Sequence, residues 1–92
     1  NRSTIENKIS KLSEYLGLKE ASFNSFVDWV WELREKIKIP HTILESAKIT
    51  DNDIEKLSQM ALEDPCTPGN PKEPTLDDMI SMYQYSVQGK LF

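Results

Sequence analysis

The chain has 92 residues, 38% of them hydrophobic and 28% charged, with 11 basic against 15 acidic side chains and a net charge of −4. That length allows one domain with one modest core and excludes two domains with separate cores. The acidic balance argues against nucleic acid or an anionic membrane as the primary partner. A single cysteine, Cys66, excludes an internal disulfide and any multi-cysteine zinc site. A single histidine, His41, excludes an all-histidine metal site within one copy. No apolar run approaches the roughly 20 residues of a membrane span. No signal-peptide pattern is visible, so a reducing cytoplasm is the expected location. The chain opens at Asn1 without methionine, as an excised piece would.

Taken in chain order, Ser3-Thr4-Ile5-Glu6 fits a capping box, and Ile5, Ile9, Leu12 and Leu16 recur at helical spacing. A first helix is predicted over residues 4–16, ended by Gly17 in the left-handed conformation with Leu18 folding back. Ser22 or Asn24 caps a second helix. Its apolar stripe is Phe26, Val30, Leu33 and Ile37, widened by Phe23 and Trp29, with Val27 and Trp31 to one side. Pro40 stops it at Ile39. Thr42-Ile43-Leu44-Glu45 is a second capping-box pattern and opens a short helix of one or two turns. Thr50 with Asp53 caps the next helix, whose inner stripe is Ile54, Leu57 and Ala61, helped by Met60 and Leu62.

Residues 64–74 carry proline at 65, 68, 71 and 74, which precludes α-helix and predicts an extended or turn-rich, ordered loop. Thr75 with Asp78 caps a last helix that buries Leu76, Met79, Ile80, Tyr83 and Val87 and ends at Gly89, before the tail Lys90-Leu91-Phe92. No segment alternates as a strand. The predicted architecture is all-α, about four main helices plus one short one, with no internal repeat.

The conspicuous side chains have plain explanations. Phe26 and Trp29 share the helical stripe and are expected in the core, while Trp31 lies off it and can reach beyond this chain. His41 follows a helix-stopping proline and reads as a turn or surface residue. Asp51, Asp53 and Glu55 sit in the first turn of a helix, where negative charge meets the positive dipole end, and they lack calcium-loop spacing and glycine. Asp77 and Asp78 have the same explanation. Gly17, Gly69 and Gly89 are too scattered for a phosphate loop, and Cys66 has no His/Asn or His/Asp set to make it a nucleophile. The residues alone stop at a helical domain with one proline-rich loop.

The second half has a more specific pattern. Met60-Ala61-Leu62-Glu63-Asp64-Pro65-Cys66-Thr67, then Gly69-Asn70-Pro71-Lys72, then Pro74-Thr75-Leu76-Asp77-Asp78-Met79, closely resembles the carboxy-terminal end of the iron-containing alcohol dehydrogenases. Leu12-Ser13-Glu14-Tyr15-Leu16-Gly17-Leu18 and Trp29-Val30-Trp31-Glu32-Leu33-Arg34 resemble the helices before it, so the similarity covers essentially the whole chain. At Ala47-Lys48 the chain departs from the pattern. Relatives end the short helix there on glycine, and this segment is one residue longer, which leaves the turn into Thr50 open.

The resemblance implies the helical C-terminal part of a dehydroquinate synthase-like fold. It implies an NAD(P)-dependent parent that uses iron, or another divalent metal, to interconvert alcohols and aldehydes. Its one aspartate and three histidine metal ligands, and its dinucleotide domain, would lie upstream of Asn1. The partners implied are those upstream metal-binding helices and that dinucleotide domain, with self-association open to the isolated piece. The piece itself is expected to hold no metal, no nicotinamide and no catalytic residue. Cys66 is implied as part of the substrate-pocket wall, with Thr67 a weaker neighbour, and Asn70 and Pro71 as residues that fix the loop. Cys66 also has a purely structural reading, because free cysteine is among the most buried residue types. A stand-alone helical interaction module has no need of the 64–72 sequence, and a helix-turn-helix DNA binder is disfavoured by acidity and by the lack of a basic recognition helix.

Overall fold

A computed structural model describes residues 1–45 and 47–91. Among them are four α-helices, α1 (Arg2–Tyr15), α2 (Phe23–Lys36), α3 (Asp51–Glu63) and α4 (Leu76–Gln88), with single 3-10 turns at Ile43–Glu45 and Thr67–Gly69. No described residue is in a strand. The fold is all-helical, and no helix is long and apolar enough to cross a membrane. The chain forms two compact units, Asn1–Ile39 and the part from Pro40 onward.

In the first unit α1 and α2 pack together. The expected capping box at Ser3 does not form. Helix α1 starts at Arg2, Asn1 stands at its cap position without a side-chain bond, and Ser3 and Thr4 lie inside the helix. Its C-terminus follows the sequence: Gly17 takes φ +69° and the Leu18 N–H donates to the Ser13 carbonyl at 3.1 Å. Ser22 caps α2, accepting from the Ser25 N–H at 3.1 Å. Helix α2 ends at Lys36, three residues before the predicted stop. Lys38 adopts φ 58°, and the Ile39 N–H reaches the Arg34 carbonyl at 3.0 Å. That is the closure Gly17 makes, built here on a lysine.

No apolar side chain of this unit is fully buried. Trp29, expected in the core, remains 40% exposed, stacked at a tilt on half-buried Phe26 with ring centroids 5.9 Å apart. Trp31 is half-buried beneath the Arg34 guanidinium. The fully buried residue is Ser13, whose hydroxyl donates toward the Ile9 carbonyl at 3.0 Å and the Ser22 carbonyl at 2.7 Å.

In the second unit α3 packs on α4, and the Ile43–Glu45 turn contacts α4. Ser46 and Phe92, parts of the predicted short helix and tail, lie outside the described residues. The boxes expected at Thr50 and Thr75 both form. The Thr50 and Thr75 hydroxyls accept from the N–H groups of Asp53 and Asp78, whose carboxylates accept the N–H of Thr50 and Thr75 in return. The Thr50 box closes despite the altered segment before it. At the turn before it, Thr42 Oγ1 lies 3.4 Å from a Glu45 carboxylate oxygen.

Ile54 and Met79 are buried, and Leu57, Ala61, Leu76, Ile80, Tyr83 and Val87 are half-buried on the predicted faces. Met60 and Leu62, expected to help the α3 stripe, point outward at 57% and 36% exposure. Gly89 ends α4 at φ +71°. A side chain there would be strained, and its Cβ would come within 3.0 Å of Thr42 Cγ2.

Candidate functional site

The loop between α3 and α4 is built from hydrogen bonds at both ends. Pro65 forces Asp64 out of helical conformation, to φ −62° and ψ 131°. The extended Asp64 then turns its side chain back. Its Oδ1 accepts the Cys66 N–H at 2.7 Å, and its carbonyl accepts the Thr67 N–H at 3.0 Å. Thr67 Oγ1 donates to the Ala61 carbonyl at 2.5 Å, satisfying one of the acceptors that the end of α3 leaves over. The 3-10 turn follows, with Gly69 N–H on the Cys66 carbonyl at 3.1 Å. The Asn70 side-chain amide donates to the Lys72 carbonyl. Lys72 Nζ then bridges to Asp78 at 2.9 Å, joining the loop to the first turn of α4.

Proline limits the conformations available before folding, so ordering this loop loses less entropy than its length implies. The loop and the side of α4 enclose an open recess of about 420 Å³. Cys66, Thr67, Pro71 and Pro74 line it from the loop, and Met79 and Met82 from the helix. The two sequence-predicted site residues are thus neighbours in one recess, but in unlike roles. The Thr67 hydroxyl is committed to Ala61, whereas Cys66 is an exposed free thiol. From the sequence, Cys66 is expected to point inward from an ordered loop. In this structure it sits at the apex of the Asp64 turn and no described part of the chain covers it. Sequence reasoning missed Met82 because it lies off the α4 stripe. The available signal was its position three residues after Met79, which puts both on neighbouring faces of one helix.

Electrostatics at the site come from the caps. The Asp78 carboxyl is held well below the usual carboxylate range, first by the Thr75 N–H, then by the Lys72 ammonium and the Thr75 hydroxyl. Asp53 is lowered by the N–H and then the hydroxyl of Thr50. Both carboxylates are therefore employed as helix caps. The described residues contain no group of three or more His, Cys, Asp or Glu placed to hold a metal ion. His41, half-buried at the start of the second unit, belongs to no such group.

This geometry offers a shaped, weakly polar wall. The family model for the C-terminal part of the Fe-containing alcohol dehydrogenase family matches residues 1–87. The lactaldehyde reductase of Escherichia coli K12 is 40% identical over 70 residues, which are 76% of this chain and 18% of that protein. The aldehyde-alcohol dehydrogenase of Clostridium acetobutylicum is 24% identical over 83 residues, 83% of this chain and 10% of that protein. The chain therefore spans less than a fifth of the length of these curated relatives. It belongs to the Fe-containing alcohol dehydrogenase family, of which it represents the C-terminal helical region.

Proposed function

We propose that these 92 residues serve as the C-terminal helical part of an NAD(P)-dependent, metal-containing alcohol dehydrogenase, supplying packing and part of the substrate-pocket wall. The observation that carries the reading is the family match over residues 1–87 of a chain whose described residues hold no metal site. In such an enzyme the metal polarises an alcohol oxygen and the nicotinamide accepts a hydride. Both groups are assigned to parts of the protein outside this chain, and none of its residues is given a step in that chemistry.

What this chain contributes is shape. Asp64 and Thr67 fix the backbone around Cys66, and the small thiol suits the neighbourhood of an alkyl group. Leu12, Leu16, Trp29, Leu33 and Ile37, apolar residues of the first unit, are 39–56% exposed. We assign them to contact with the metal-bearing helices or, in isolation, with another copy. Exposed apolar surface on this scale supports that assignment.

The test uses two proteins. A full-length enzyme ending in these residues, loaded with iron, should oxidise simple alcohols with NAD or NADP. The 92-residue chain, purified alone and dialysed, should retain no stoichiometric iron and oxidise no alcohol. Iron held by the short chain at one equivalent through dialysis would overturn the assigned division of labour.

A further inference from the structure

We propose that Met82 is a specificity-determining residue, the adjustable wall that decides how long an alkyl chain the recess beside Cys66 admits. The proposal rests on the reading of Cys66 as pocket wall and extends it to the helix opposite. The recess, at about 420 Å³, falls in the range that holds small organic ligands. Most of its lining is fixed. Pro71 and Pro74 are closed rings, Thr67 is tied to the Ala61 carbonyl, and Asn70 donates to the Lys72 carbonyl. Met79 is 92% buried and belongs to the small core, so it forms the floor. Two sulfur side chains are left to meet a ligand: Cys66, short and exposed, and Met82, half-exposed at 50%. Methionine is unbranched and polarisable, able to follow an alkyl chain that a β-branched side chain would exclude. Because Met82 stands on a regular helix whose first turn is locked by Thr75, Asp78 and Lys72, a change in its length alters the recess without moving the backbone.

The experiment uses the full-length, metal- and dinucleotide-loaded enzyme and two primary alcohols, one short and one long. Met82→Ala should raise the ratio of long-chain to short-chain kcat/KM about tenfold, and Met82→Phe should lower it by a similar factor. Shifts of opposite sign cannot come from a general loss of stability. A readout independent of turnover is alkylation of Cys66, followed on its own peptide by mass spectrometry. The long alcohol should slow it, and Met82→Phe should abolish that protection. Cys66→Leu, run in parallel, separates this inference from the reading beneath it. Met82 variants that change both alcohols alike, beside a Cys66→Leu that does shift the preference, would overturn the role of Met82 and leave the pocket wall standing. No shift from either position would remove the recess from the substrate site altogether.

Discussion

The α1–α2 pair fully buries one described residue, Ser13, whereas α3 and α4 bury Ile54, Ser58 and Met79. Both pairs bury a serine completely, with its hydroxyl within hydrogen-bond distance of the carbonyl four residues earlier. The distance is 3.0 Å from Ser13 to Ile9 and 2.6 Å from Ser58 to Ile54. The difference lies in the apolar side chains of each pair. In the second pair α3 buries Ile54 and α4 buries Met79. In the first pair the equivalent apolar positions stay half open, and the contacts on view are a tilted Phe26–Trp29 stack and two guanidinium groups over rings, Arg2 on Phe23 and Arg34 on Trp31. Two helices alone cover one side of each stripe, and a stripe as wide as that of α2 needs a further surface.

The sharpest way to break this comparison is to empty one side chain in each pair. Ile54→Ala removes buried methylenes from the small core and should destabilise by about 2–5 kcal/mol. Leu12→Ala, at a position already 39% exposed, should cost about 1 kcal/mol or less. Urea denaturation of the purified chain, with the slope checked for constancy, measures both. Equal losses would show that the first pair holds a core of its own.

How far the sequence carried these elements depends on the range of the signal. The Thr50/Asp53 and Thr75/Asp78 boxes and the left-handed glycines 17 and 89 are local devices, complete within six residues, and each is readable. Ser3-Thr4-Ile5-Glu6 has the same letters but forms no box, because the helix already runs through it from Arg2. Trp29 was misplaced because periodicity tells which face a residue takes and not whether anything covers that face. Ser13 and Ser58 went unread because a polar residue on an apolar stripe looks like an interruption. The Ser58 hydroxyl is in fact satisfied within its own helix, and that of Ser13 on the Ile9 and Ser22 carbonyls. At the site, the 64–72 resemblance brought out Cys66 and Thr67. That Thr67 is a tether, that Cys66 is exposed, and that Met82 faces the same recess all depend on how the loop lies against α4, which no local pattern encodes.

A second, smaller effect sharpens the same contrast at the helix ends. Helix α1 closes on Gly17, which takes a positive φ freely, but α2 closes on Lys38 at φ 58°. The left-handed conformation costs a non-glycine residue about 1–2 kcal/mol, and glycine gives part of this back through its greater freedom when unfolded. Lys38→Gly should therefore raise the stability of the chain by about 0.5–1 kcal/mol, read as a higher urea midpoint at constant slope. A lowered midpoint would mean that the lysine side chain contributes more than its backbone strain removes.

The smallest expected effect is one of pH, and it belongs to the second pair alone. Asp53 and Asp78 both titrate below the ordinary value of 3.8 because each carboxylate accepts the backbone N–H and hydroxyl of its own capping threonine, with Lys72 adding to the effect at Asp78. A group whose pKa is lower folded than unfolded binds fewer protons in the folded state, so stability rises with pH across the interval between the two values. The contribution is complete above about 3.9, the unfolded value, and is lost as the pH falls through the lower folded values. Both groups are solvent-exposed, so screening keeps the effect modest. Helix α1 has no carboxylate in its first turn and no side-chain cap, so it has no counterpart to these two groups. Carbon-detected NMR of the aspartate side chains should find Asp53 and Asp78 titrating below the ordinary value of 3.8. Urea midpoints taken from about pH 5 to about pH 2 should fall more steeply for the parent chain than for Asp53→Asn or Asp78→Asn. An unchanged slope in both variants would show that the caps hold equally well with the carboxyl protonated, and the advantage of the second pair would then rest on Ile54 and Met79 alone.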